Sequence, residues 1–91
     1  IDQDLMDAAG VLPYEHVLVA SLANGTRHET YVISAPRGSG VICSNGAAAH
    51  LVSPGDKVII MAFADFEPDE IAAHKPKIIV VGENNRPIKV K

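Results

Sequence analysis

Two stretches carry the residues whose types and spacing could do chemistry: NGTRHETY at 24–31 and SNGAAAH at 44–50. Arg27 offers a planar fork of N–H donors that matches a carboxylate. Thr30 and Tyr31 set hydroxyls nearby, and Asn45 adds a side-chain amide. Gly46, Ala47 and Ala48 then present main chain with almost no side chain, so a ligand can lie against it. Bare N–H groups of this kind can hold an oxygen. Each stretch also has a plainer reading. NGTR fits a solvated hairpin tip with a surface arginine, Tyr31 an aromatic at the edge of a core, and NGAAAH a turn into a crowded interior.

Other chemistries find little support. His16, His28, His50 and His74 form no HxH or HxxxH pair, and Cys43 is the only cysteine, so a metal site is not expected. RGSG at 37–40 is too short for a phosphate loop, and no GxSxG elbow is present. The net charge is −3 with basic residues scattered, which argues against nucleic acid as a partner. No apolar run approaches the roughly 20 residues of a membrane span. No signal peptide is visible at the start. A lone cysteine excludes an internal disulfide and fits a cytoplasmic setting.

The elements that must hold these residues follow from local patterns. Residues 4–9 read as a short helix, with Asp2 or Asp4 as cap and Gly10 as terminator. Residues 16–23 and 28–35 read as strands joined by Asn24-Gly25, a strong hairpin signal. Residues 41–44, 57–64, 77–82 and 87–90 read as further strands, with SPGD at 53–56 as a tight turn. Residues 67–74 read as a second short helix, with Pro68 in its first turn. Nearly half of the 91 residues are apolar (47%) but few are aromatic, so the single domain spanning 1–91 must be packed with aliphatic side chains. Six strands in so short a chain favour a closed barrel, which removes exposed edges. A small core of this kind also favours assembly into an oligomer.

Taken together and in order, IDQDLMDAAG, NGTR followed by TYVI, RGSG, SNGAAAHLVSPGD and KVII closely resemble the pyruvoyl-dependent aspartate decarboxylases, over residues 1 to about 83. The resemblance implies a mainly β fold, a small six-stranded double-psi β-barrel with two short helices, assembled as a homotetramer. It implies conversion of L-aspartate to β-alanine and CO2 through a Schiff base, as a step of pantothenate biosynthesis. The cofactor it implies is a covalent pyruvoyl group, formed when a proenzyme cleaves itself before a serine upstream of Ile1. The chain then reads as the large product without that tip, partnered by a short N-terminal (beta) chain. A non-catalytic double-psi barrel acting as a binding module is the alternative.

By the same resemblance Arg27 grips the substrate α-carboxylate, Thr30 contacts substrate and supports self-cleavage, and Tyr31 donates a proton. Asn45 lies near the pyruvoyl group, the 46–48 backbone contacts substrate, and Ile59 lines the pocket. The second substrate carboxylate is expected to meet a basic residue upstream of Ile1. Thr30 and Tyr31 are adjacent on a strand and should face opposite ways, so either the strand is twisted or bulged there or Tyr31 acts in a site shared with a neighbouring subunit, the preferred reading. The family often carries a large aromatic near the position of Ala20 or Ser21, and this chain does not.

Overall fold

A computed structural model describes residues 1–91. Helix α1 (Gln3–Ala9) starts where Asp2 accepts the Asp4 N–H at 2.8 Å and stops at Gly10 in the left-handed conformation. Its inner face buries Leu5 and Met6. The chain then enters a three-stranded antiparallel sheet of order β2–β1–β3, with β1 (His16–Ser21) flanked by β2 (Arg27–Tyr31) and β3 (Val58–Ala62). A second sheet pairs β4 (Ile79–Val81) with β5 (Pro87–Val90). Helix α2 (Pro68–Ala73) carries the expected proline in its first turn. Glu67 and Glu70 form a reciprocal capping box there, satisfying two otherwise free donors.

The hairpin between β1 and β2 forms, but not as a two-residue turn. β1 ends at Ser21, and Asn24 caps a longer loop by accepting the Thr26 N–H at 3.0 Å. Among the positive-φ residues outside glycine are only Tyr14, Asn84 and Asn85, so Asn24 does not take the left-handed conformation that a type I′ turn needs.

Two expectations are corrected. Residues 41–44 form no strand, because no neighbouring segment takes up a ladder with them. The protein has five strands in two separate sheets, so neither a six-stranded count nor a closed barrel is present within this chain. What is observed is a mainly β fold with two short helices.

The core is small. Met6, Val17 and Val32 are buried together, with Ile1, Val11, Val19 and Ile60 packed partly against them. Large apolar side chains such as Leu12, Phe63, Ile71, Ile88 and Val90 remain exposed. The accessible surface is 6648 Å². A compact monomer of 9.6 kDa should expose roughly 5,100 Å². The difference, about 1,500 Å², is roughly twice what one partner buries in a standard protein interface. No helix is long and apolar enough to cross a membrane.

Candidate active site

β1 lies between its two neighbours, so the register decides which side chains share a face. Thr30 pairs with Val17, and His28 with Val19. Val19 pairs on its other side with Ile60. These residues occupy the face that carries the buried Val17. Arg27 pairs with Ala20, and Ala20 with Ile59, on the opposite face. Strict alternation along each strand thus separates Arg27 and Ile59 from Thr30.

The inner face opens on a cavity of about 780 Å³. That volume lies within the roughly 300–1,000 Å³ typical of ligand sites. Thr30, Tyr31, Asn45, Gly46, Ala48 and Ile1 all border it. Arg27, Ala47 and Ile59 do not. Although Tyr31 follows Thr30 directly, both border the same cavity in one chain. Tyr31 is the last residue of β2, its side chain stays 58% exposed, and its ring lies 6.3 Å from that of Tyr14.

SNGAAAH forms a loop entering a single 3₁₀ turn over Gly46–His50, with Asn45 extended at its start. Asn45 Oδ1 accepts from Cys43 Sγ at 3.2 Å, which orients the amide. The N–H groups of Gly46 and Ala47 precede the first bond of the 3₁₀ turn and form no hydrogen bond within the chain. Gly46 has φ +64, and a Cβ placed there would meet nothing within 4 Å. The loop therefore presents open backbone to the cavity. The SPGD turn closes the following segment, where Asp56 accepts the Ser53 N–H at 2.9 Å.

Ile1 reaches this cavity because its backbone is pinned on both sides. Its N–H donates to the Ile33 carbonyl at 2.7 Å, and its carbonyl accepts the Ala35 N–H at 2.8 Å. Asp2 N–H then donates to the Val41 carbonyl at 2.7 Å. The start of the described chain therefore runs between two segments that both wall the cavity.

The sequence profile of the family described as aspartate decarboxylase matches residues 1–88. The chain belongs to the aspartate decarboxylase family. A protein of Neisseria meningitidis serogroup C named aspartate 1-decarboxylase is 56% identical over 86 residues, covering 94% of this chain and 68% of that protein. The protein of the same name from Lactiplantibacillus plantarum is also 56% identical over 86 residues, covering 94% and 66%. That from Caldicellulosiruptor saccharolyticus is 54% identical over 90 residues, covering 99% and 70%. The chain thus spans about two thirds of the length of these aspartate decarboxylases. The matched span includes the cavity-lining residues and also the outer-face Arg27 and Ile59.

Sequence reasoning missed one residue that lines this cavity and one that lies beside it. His28 lines the cavity but forms no motif with another histidine, so nothing local distinguished it. Asp2 reads only as a possible helix cap, yet it is 2% exposed and also accepts N–H groups from Gly38 and Gly40. No signal in the sequence links positions so far apart. No three or more His, Cys, Asp or Glu side chains are grouped to hold a metal ion.

Proposed function

We propose that this chain is the large subunit of an enzyme that decarboxylates L-aspartate to β-alanine and CO2, the β-alanine serving pantothenate synthesis. The observation that carries the reading is the convergence of Ile1 with Thr30, Asn45 and Gly46 on one cavity, in a chain of the aspartate decarboxylase family. The residues fit a pyruvoyl group joined upstream of Ile1. The Ile1 backbone borders the cavity, and the open space beside Gly46 leaves room for a small acyl group and an amino acid. Such a group supplies an electrophilic carbonyl that draws off the electron pair left on Cα when CO2 departs.

This chain's own residues bind, orient and protonate. The Arg27 guanidinium forms a forked pair with the α-carboxylate, fixing which carboxyl group is lost. Thr30 contacts the substrate with its hydroxyl and polarises the carbonyl of the bond that self-cleavage breaks. Asn45 donates its side-chain amide beside the reacting carbon, and the 46–48 backbone contacts the substrate, its unpaired N–H groups holding oxygen. Tyr31 returns a proton to Cα. Ile59 supplies an apolar wall. The remaining carboxylate pairs with a basic residue upstream of Ile1.

Arg27 and Ile59 lie across the sheet from Thr30, so in this reading they serve the cavity of a neighbouring copy. The excess exposed surface supports a homotetramer that also holds the short upstream chain produced by self-cleavage. The test is direct. The full-length gene product is incubated with L-aspartate, β-alanine and CO2 are measured, and the subunits are weighed before and after hydrazide treatment. Equimolar β-alanine and CO2, with a hydrazide-reactive subunit, are expected. An unreactive protein that makes neither product overturns the reading.

A further inference from the structure

Asp2 sits beside the cavity without touching it. Its carboxylate is buried at 2% exposure and accepts three main-chain donors: Asp4 N–H at 2.8 Å, Gly38 N–H at 3.1 Å and Gly40 N–H at 2.9 Å. The first bond caps α1. The other two seize the RGSG loop from inside. From outside, Asn85 Nδ2 donates to the Gly40 carbonyl at 2.7 Å and Arg86 Nη2 to the Gly38 carbonyl at 3.0 Å. The peptide groups of this loop are thus gripped from both sides. Glycine is required at position 40, because a Cβ there would stand 2.4 Å from the Asn84 carbonyl oxygen.

A capped helix needs only one oxygen of Asp2. The same oxygen also accepts from Gly38 and the second accepts from Gly40, so the carboxylate holds the 36–40 loop beyond what a cap requires. Asp2 N–H donates to Val41, which directly follows the gripped loop, and Ile1 is held between residues 33 and 35. We infer that Asp2 is a positioning residue that, by clamping the 36–40 loop against α1, aims the bond preceding Ile1 into the cavity. This rests on the proposed function, since the group aimed is the pyruvoyl end. Asp2 touches no substrate; it acts through Ile1 and Val41.

The clamp depends on acceptor oxygens. Asp2→Asn keeps a helix cap but places an amide N–H2 against a main-chain N–H, leaving a buried donor without a partner. Asp2→Ser also caps, but is too short to hold both Gly38 and Gly40. Arg37→Gln is the control. Arg37 pairs with Asp4 and Asp7 on the exposed side of α1, so its loss weakens the same loop and helix without touching Asp2.

The full-length protein and the three variants are followed for appearance of the hydrazide-reactive subunit, for kcat and KM with L-aspartate, and for hydrogen exchange at Gly38 and Gly40. Asp2→Asn and Asp2→Ser are expected to slow appearance of the reactive subunit by about tenfold or more. Exchange at both glycines should speed up, and the molecules that do mature should show lowered kcat with KM within about twofold. Arg37→Gln should mature at the wild-type rate even where its melting temperature falls as far. If Asp2→Asn does not fold, Asp2→Ser carries the comparison alone. Wild-type maturation and kcat in the Asp2 variants overturn the inference, as does an equal maturation defect in Arg37→Gln. If the wild-type protein yields no reactive subunit, the proposed function falls first. If the wild type matures and the Asp2 variants match it, only the role of Asp2 falls.

Discussion

Arg27 and Thr30 stand on opposite faces of one strand. Thr30 is registered with the buried Val17, and Arg27 with Ala20 and, through it, Ile59. They lie three positions apart in sequence, an odd interval that a regular strand converts into opposite directions. Under the proposed function, a single chain therefore offers a cavity without its arginine and an arginine without its cavity.

The division predicts complementation. Arg27→Ala and Thr30→Ala proteins are each expected to be nearly inactive. Co-expressed in one cell, they should recover roughly a quarter of wild-type activity, the chance that both partners of a shared site are intact. Recovery indistinguishable from zero would return Arg27 to the same chain's site.

Tyr31→Phe removes one hydroxyl from an exposed ring beside Tyr14 and should leave folding unchanged. Loss of a positioned proton donor typically lowers turnover by about 10²–10⁴. A fall in kcat of that order, with KM little changed, is expected from steady-state kinetics. An unaltered kcat would remove Tyr31 from proton transfer.

Gly46→Ala tests the open backbone. No atom lies within 4 Å of the new methyl group, so only the φ of +64 disfavours it, by roughly 1–2 kcal/mol. The methyl group should crowd the substrate rather than the protein. A clear rise in KM for L-aspartate, with a small change in melting temperature, is expected. A KM equal to wild type would place the substrate elsewhere.

The stability of the Asp2 clamp depends on pH with a defined sign. Hydrogen bonding from Gly40 foremost, then from Asp4 and Gly38, with the charge of Arg86, holds the Asp2 carboxyl below the ordinary aspartate range despite its burial. The unfolded chain binds the proton at a higher pH than the folded one, so stability rises with pH in that window. The contribution is complete above the ordinary aspartate pKa of about 3.9 and is lost as pH falls through the lower folded value. Melting temperatures measured from neutral to strongly acidic pH should fall less steeply for Asp2→Asn than for wild type below about pH 4. Parallel curves would show that Asp2 is not responsible.

Met6→Ala probes the core directly. Met6 is 1% exposed and packs with Val17 and Val32 in a cluster of only three buried residues. Truncation of a buried methionine costs about 2–5 kcal/mol. A shift of the denaturation midpoint of that size is expected at fixed protein concentration. A much smaller shift would mean that assembly, not this cluster, dominates stability.

What the sequence determined by itself was local. The Asp2 cap and Gly10 stop of α1, the Pro68 start of α2 and the SPGD turn each rest on contacts within a few residues, and each is found where expected. Apolar runs located β1 and β3, and alternation located β2, each to within a few residues at their ends. NGTR and SNGAAAH marked the family, because side-chain identity at set spacing is written in the chain itself. Tertiary structure decided the remainder. Whether residues 41–44 pair as a strand depends on a partner edge, and none is present. Whether sheets close into a barrel depends on the same supply of edges. That Asp2 grips Gly38 and Gly40, 36 and 38 positions away, follows from how the chain packs. Local order comes from interactions that close short loops, whereas these contacts bring distant segments together and form only when the rest of the fold has offset the entropy of closing them.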